Sequence, residues 1–247
     1  MDYKIIPLNV GNFEALPKQT SMYRMYREVT YEAPCIMWFI EGTKNNIVVD
    51  LGPSDPDQSL ANHGLVIQKN EKQNHVSALK SVGLSPDDVQ IVIMTHLHWD
   101  HAWGFHVFKN ATFLVQKKEV EYAIAPFPCN HTLYYEQSLG KPEFVDYLNQ
   151  IEMINGDYEV EDGIETIFLP GHSPGFQGVS VRTEKGRYFI AGDAVGLFEC
   201  WETVPHVPSG IFTNLEDYYN SMDRIEKIAD YVLPGHDGRV FDQPAYP

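Results

Sequence analysis

The sequence predicts an α/β protein. Three observations carry that reading. Short β-branched runs alternate with segments of helical spacing in the first half of the chain, brief strands separated by glycine turns fill residues 151–191, and a capped amphipathic stretch at 214–229 precedes a last apolar run. The 247 residues are enough for a substantial core, and no linker, repeat or low-complexity tract divides them, so one domain is expected.

In chain order, residues 3–10 alternate weakly and predict a first strand. Residues 11–33 have no clean period. With Met22, Tyr23, Met25, Tyr26 and Tyr31 they read as a loop packed on the body, the alternative being a pocket wall or a subunit contact. Residues 35–40 and 46–50 are two strands joined by Glu41-Gly42-Thr43-Lys44-Asn45, a hairpin signature. Asp50 closes the second strand, either as a turn residue or as a carboxylate behind a metal-bound imidazole. The polar residues 53–70 read as loop. Residues 72–82 read as a helix with Val76, Leu79 and Lys80 near one face and Gly83 as its stop. Residues 90–94 form a short buried strand, 112–115 another, and 117–125 a helix broken by Pro126-Phe127-Pro128. A helix is expected at 142–150. The runs 151–154, 158–160, 164–169, 177–182 and 187–191 then suggest a meander. Residues 197–213 look irregular. Asn214 caps a helix to 229 on which Leu215, Tyr218, Tyr219, Met222, Ile225 and Ile228 keep helical spacing, and 231–233 is the last strand.

Composition narrows the function classes. The chain is 43% hydrophobic and 21% charged, as soluble globular proteins are. No apolar run approaches the ~20 residues of a membrane span. The N-terminus, Met1-Asp2-Tyr3-Lys4-Ile5-Ile6-Pro7-Leu8, lacks the basic and apolar regions of a signal peptide. Cys35, Cys129 and Cys200 are odd in number and at no metal-ligand spacing, which suggests free thiols in a reducing compartment, and a cytoplasmic location is expected. A net charge of −16 argues against a nucleic-acid partner. The expected partner is a small molecule. The aromatic segments 20–31 and 126–135 either close its pocket or form a homodimer contact.

The chemistry is concentrated directly after the strand at 90–94. His96-Leu97-His98-Trp99-Asp100-His101 places four ligand-type residues at a strand's mouth. Imidazoles and carboxylates without thiolates suit zinc, manganese, iron or cobalt. His96 and His98, two apart in an extended segment, point toward one ion, and Asp100 and His101 lie past a bend and reach a second. Three more stretches repeat one pattern of apolar strand, glycine and ligand-type residue: Leu169-Pro170-Gly171-His172, Ala191-Gly192-Asp193 and Leu233-Pro234-Gly235-His236. Any one alone is more often a turn. Together they bring the set to five His and two Asp, enough for two ions sharing a carboxylate.

This ordered set resembles the dinuclear ligand set of the metallo-β-lactamase superfamily, over roughly residues 35–240. The resemblance implies an αββα four-layer sandwich and two divalent ions, zinc foremost, with manganese, iron or cobalt as alternatives. It implies that His96, His98 and His172 hold one ion, that Asp100, His101 and His236 hold the other, and that Asp193 bridges them. Within the superfamily the chain is similar to N-acyl-homoserine lactone lactonases, through His96-Leu97-His98-Trp99-Asp100-His101-Ala102, Gly171-His172-Ser173-Pro174-Gly175-Phe176-Gln177 and Gly235-His236-Asp237. The implied activity is metal-dependent hydrolysis of a lactone or related ester, with Asp100 as the catalytic proton shuttle.

Two positions depart from that pattern. Gly196 stands where such lactonases often carry a tyrosine, three residues past the bridging aspartate, and Trp103 stands where small residues are common and is expected to reshape the pocket. Tyr23, Tyr26, His206 and Ser209 are candidates for the missing donor, although a structural role is the ordinary reading for each. It is also the ordinary reading for His63, His75, His106 and His131. The pocket is expected from residues 20–31, 99–105, 126–135 and 197–212, apolar and aromatic, which suits an uncharged substrate. The competing readings are a cyclic-amide or thioester hydrolase, an iron-dependent redox enzyme and a non-catalytic metal-binding scaffold. A glyoxalase II-like thioesterase is disfavoured because only 11 residues follow His236, and a phosphodiesterase or nuclease by the acidic charge.

Overall fold

Strands that are apolar at consecutive positions must be covered on both faces, and this requirement sets the layers of the protein. The computed structural model describes residues 3–247, so Met1 and Asp2 of the N-terminal stretch lie outside the described residues. The first sheet contains β1 (Lys4–Pro17), β2 (Thr30–Glu41), β3 (Ile47–Val49), β4 (Ile67–Gln68), β5 (Ile91–Ile93), β6 (Thr112–Gln116) and β7 (Ile151–Ile154), in the order β4-β1-β2-β3-β5-β6-β7. Pairing is antiparallel through β1, β2 and β3, then parallel from β3 to β7. The second sheet contains β8 (Tyr158–Glu161), β9 (Ile164–Phe168), β10 (Gln177–Thr183), β11 (Gly186–Gly192) and β12 (Tyr231–Pro234), in the order β12-β11-β10-β9-β8, with only β11–β12 parallel.

Side-chain alternation divides the strands between two cores. Ile36, Trp38 and Ile40 of β2, with Val49, Ile93 and Leu114, meet Val179, Val181, Ile190 and Leu233 between the sheets. The alternate residues Met37, Phe39, Val92, Phe113 and Val115 face the other way. They are covered by Leu79 of α3 (His75–Lys80) and by Val120 and Ala123 of α4 (Lys117–Ile124), α1 (Lys18–Ser21) and α2 (Pro56–His63) having come earlier in the chain. After the short α5 (His131–Tyr134) and α6 (Phe198–Glu202), α7 (Leu215–Ile228) covers the outer face of the second sheet, with Ile225 against Ile167, Phe189 and Val232. The result is an αββα sandwich. Among the described residues no helix is long and apolar enough to cross a membrane.

Several elements differ from the sequence reading, each for a physical reason. β1 runs on to Pro17, because register shifts at Asn9/Gly11 and Phe13/Leu16 break the period-two signal without ending the pairing. Residues 53–70 contain α2 and β4. Pro56 starts α2 and Gly64, at φ 69°, ends it, but only Ser59 is buried, so the helix has no apolar stripe to reveal it. α3 buries His75, Ala78 and Leu79 and leaves Val76 exposed. β7 leaves the meander and pairs with β6 in the first sheet. The helix expected at 142–150 is 3-10, Glu143–Gln150, and kinks at Tyr147. α7 matches its expectation, with the Asn214 side chain accepting from the Glu216 and Asp217 N–H groups.

Candidate metal centre

The loops that follow β3, β5, β9, β11 and β12 meet at one edge of the sandwich, and the seven residues anticipated from the sequence lie on four of them. Their ligand atoms fall into three overlapping groups, each within 4.8 Å: His96, His98 and His172; His96, His101 and Asp193; and Asp100, His101 and His236. All are buried except Asp100, which is partly open to the pocket.

Three of the five imidazoles, those of His101, His172 and His236, are aimed by a carboxylate or backbone carbonyl on the far side. Asp50, at φ 58° beyond β3, accepts from Thr95 N and Thr95 Oγ1, both at 2.7 Å, and stands 2.9 Å from His101 Nδ1. His172 Nδ1 donates to Ile211 O (2.8 Å) and His236 Nδ1 to Pro34 O (2.9 Å). The Nε2 lone pairs therefore face inward, and those of His101 and His236 stand 3.3 Å apart. Asp50 serves as the orienting carboxylate, the second of its two sequence readings.

Close backbone approach explains the glycines. A Cβ on Gly235 would lie 2.8 Å from Asp193 Oδ1, and one on Gly171 only 2.4 Å from Tyr218 Cα. Tyr218 in turn donates to Asp193 O (2.5 Å) and accepts from Ser209 N (3.1 Å), so α7 anchors two of the site loops.

The electrostatics test whether these residues fit cations. Burial foremost, then the neighbouring imidazoles, pushes His96 and His98 well below the ordinary histidine range, and burial lowers His172. Burial opposes charge on His101 too, but Asp193, Asp100 and Asp50 outweigh it and raise it well above that range, and Asp193 does the same for His236. Burial alone would raise Asp193, yet His236 and His101 hold it well below the usual carboxylate range. Among the described residues, buried His96 Nε2 and Asp193 Oδ1 have no hydrogen-bond partner, although Asp193 Oδ1 stands 3.1 Å from His236 Nε2 and 3.2 Å from His101 Nε2. Inward lone pairs, unpartnered buried acceptors and a demand for positive charge fit a pair of divalent ions.

Glu119 of α4, which no motif marked, ties the two halves of the centre together. Its Oε1 accepts from Leu97 N (3.1 Å) and Tyr134 Oη (3.2 Å), and its Oε2 from Ser173 Oγ (2.6 Å) and Gly175 N (3.1 Å). Burial raises its carboxyl, and the four donors offset part of that. The available signal was helical spacing, which puts residue 119 on the same arc as Val120 and Ala123.

A cavity of about 170 Å³ opens over the centre, with Phe13, Leu16, Leu65, Trp99, Leu133 and Ile211 as its apolar walls and His98, Asp100, Asp193 and His236 at its floor. Trp99 is fixed by stacking on His63 at 4.0 Å, with Phe13 edge-on at 5.6 Å. Trp103 is not on the wall. Its N–H is bonded to Gly52 O and its ring turns to His106, so it does not reshape this pocket. Of the four donor candidates only Ser209 lines the cavity. Tyr26 donates to Glu199 (2.5 Å), Tyr23 packs on Phe212 and His206 stacks on Trp201. His75 bonds Leu51 O, His106 pairs with Glu143 and His131 stacks on Tyr135, all structural roles.

Comparison with known proteins agrees with this geometry. The sequence profile of the metallo-beta-lactamase superfamily matches residues 31–236. An N-acyl homoserine lactonase of Bacillus thuringiensis is 32% identical over 219 residues, covering 83% of this chain and 81% of that protein. The structure of a B. thuringiensis AiiA variant, with N-decanoyl-L-homoserine bound at its active site, superposes with a TM-score of 0.81 at 26% identity, covering 98% of this chain and 96% of that one. An N-acyl homoserine lactone hydrolase with N-hexanoyl-L-homoserine at its catalytic metal centre gives 0.79 at 27% identity, over 98% and 96% of the two chains. A match that runs through both sheets and every loop of the centre has one reading: the chain belongs to the metallo-beta-lactamase superfamily.

Proposed function

We propose that this protein is a dinuclear-metal lactonase that opens an N-acyl homoserine lactone or a closely similar small lactone, with zinc as the metal. The observation that carries this reading is the convergence of seven ligand-type residues beneath an apolar cavity. His96, His98 and His172 would hold one ion and Asp100, His101 and His236 the other, with Asp193 between them. Bound ions supply Lewis acidity toward the scissile carbonyl and a nucleophile that is ionised near neutral pH.

The chain's own residues do the rest. Phe13, Leu16, Leu65 and Leu133 hold an apolar acyl chain and exclude water from the floor. Asp100 is the most open carboxylate of the set, and its Oδ2 stands 3.6 Å from His236 Nε2. It takes the proton released as water adds to the carbonyl carbon and delivers it to the ring oxygen as the acyl–oxygen bond breaks. A net charge of −16 and the apolar walls disfavour polyanionic substrates. The same reading puts the protein in the cytoplasm, where the exposed free thiol of Cys129 stays reduced.

Metal analysis paired with a ring-opening assay tests the proposal, using N-acyl homoserine lactones, simple γ- and δ-lactones, cyclic amides and thioesters. About two zinc ions per chain and lactone turnover, both lost in Asp193→Ala, are expected. Two ions with turnover of thioesters or cyclic amides alone would overturn the substrate class, and less than one ion under replete conditions would overturn the dinuclear centre.

A further inference from the structure

The cavity wall carries three hydroxyl side chains, Thr20, Ser21 and Ser209, and two are already committed. Thr20 Oγ1 donates to Pro17 O (2.6 Å). Ser209 Oγ donates to Thr20 O (2.8 Å) and accepts from Ile211 N (3.2 Å). Among the described residues Ser21 Oγ has a single hydrogen-bond partner, Tyr31 Oη at 2.7 Å. Either hydroxyl can donate in that pair, and the phenol, the stronger acid, is the favoured donor with Ser21 accepting. The Ser21 proton is left for the cavity.

Two features support a working role for that proton. A Cβ on Gly196 would lie 3.3 Å from Ser21 Cβ, so the bare backbone there lets Ser21 sit directly against the loop that follows Asp193. Burial foremost, with Asp193 adding to it against the Ser21 bond, keeps the Tyr31 phenol protonated and able to donate.

We propose that Ser21 is a further catalytic residue, donating a hydrogen bond to the carbonyl oxygen of the bound ester, with Tyr31 as its positioning partner. The proposal rests on the lactonase reading above. As water oxygen adds to the carbonyl carbon, the π pair moves onto the carbonyl oxygen, where the Ser21 O–H meets the charge and the Tyr31 O–H polarises Ser21 from behind. When the carbonyl re-forms, the acyl–oxygen bond breaks. The ring oxygen takes that pair and one of the water protons, leaving a hydroxy acid.

The test compares metal-loaded wild type with Ser21→Ala, Ser21→Thr, Tyr31→Phe and the Ala/Phe double variant on an N-acyl homoserine lactone, reading kcat, KM and metal content. Ser21→Ala is expected to lower kcat about 10–100-fold at nearly constant KM and full metal content. Ser21→Thr keeps the hydroxyl and recovers most of the loss. Tyr31→Phe lowers kcat about 3–10-fold, and the double variant is no slower than Ser21→Ala, because Tyr31 acts through Ser21. Wild-type kcat in Ser21→Ala, a loss confined to KM, or no rescue by threonine would overturn the donor role and leave the lactonase reading standing. Should Ser21→Ala fail to fold, Tyr31→Phe decides, since it removes one oxygen, and an unchanged kcat overturns the proposal. A wild type inert toward every lactone would overturn the lactonase reading and the donor role together.

Discussion

Glu119→Gln is the most informative single change outside the ligands. The carboxylate accepts four hydrogen bonds, two on each oxygen: three from the loops that carry His98 and His172 and one from Tyr134 of α5. A glutamine keeps the shape and one acceptor oxygen but presents an NH₂ where the other stood. Either orientation leaves one backbone N–H, of Leu97 or Gly175, facing a donor in a buried site. The accompanying hydroxyl, of Tyr134 or Ser173, can rotate away. An unpartnered buried N–H costs about 1–3 kcal/mol and a weakened hydroxyl bond about 1 kcal/mol more, while removing a buried charge returns part of that, for a net loss of about 2 kcal/mol. For a chain of 247 residues this lowers Tm by roughly 4–8 °C. Because the two loops lose their common tie, the ion held by His96, His98 and His172 is expected to go first, and metal content after dialysis to fall toward about one per chain. Calorimetric melts and elemental analysis on the same sample read both effects. A variant that melts with the wild type and keeps its full metal content would refute the reasoning.

Two further outcomes follow from the same geometry. Gly235→Ala places a methyl 2.8 Å from both Asp193 Oδ1 and the Gly192 carbonyl carbon, so the loop carrying Asp193 must shift and metal retention against a chelator falls about 10–100-fold; retention equal to wild type would exclude the clash as a control on the centre. His75 is buried against Leu51 O and its pKa is lowered by burial from 6.5 to about 4, so the unfolded chain takes up the proton first. Its contribution is complete above about pH 6.5 and is lost as pH falls toward 4, about 3 kcal/mol in all. His96 and His98 pull the same way, so the measurement is the difference in Tm between pH 7.5 and 5.0 for wild type against His75→Gln. A variant with the same slope would remove His75 as a cause.

What the sequence revealed and what it hid have separate physical origins. The seven ligand-type residues were legible because each follows an apolar strand, three of them (His172, Asp193 and His236) directly after a glycine whose smallness the crowded centre requires. Trp99 and Trp103 were not separable by type. The Trp99 backbone N–H donates to Leu133 O and its ring lines the cavity, whereas the Trp103 backbone N–H donates to Gly52 O and its ring turns to His106. Half the pocket was hidden for a different reason. Phe13 and Leu16 lie on a strand whose register shifts twice, and Leu65 follows a helix with no apolar face, so neither stretch has a period to read. Glu119 and Tyr31 are ordinary residues in ordinary elements. Their roles arise only when segments distant in sequence are folded together.

The N-terminal arm from β1 through α1 contributes no ligand-type residue to the centre, yet Phe13, Leu16, Pro17, Thr20 and Ser21 come from it and form one side of the cavity. Metal binding and one side of the pocket are thus written on separate stretches of chain. Substitutions at Phe13, Leu16, Pro17 and Thr20 can redirect the protein toward a new substrate while the ions stay where they are. Reshuffling the loops at 96–101, 172, 193 or 236 has no such freedom. A lineage descended from this scaffold would diversify at its first twenty or so residues, and a library aimed at new substrates should begin there.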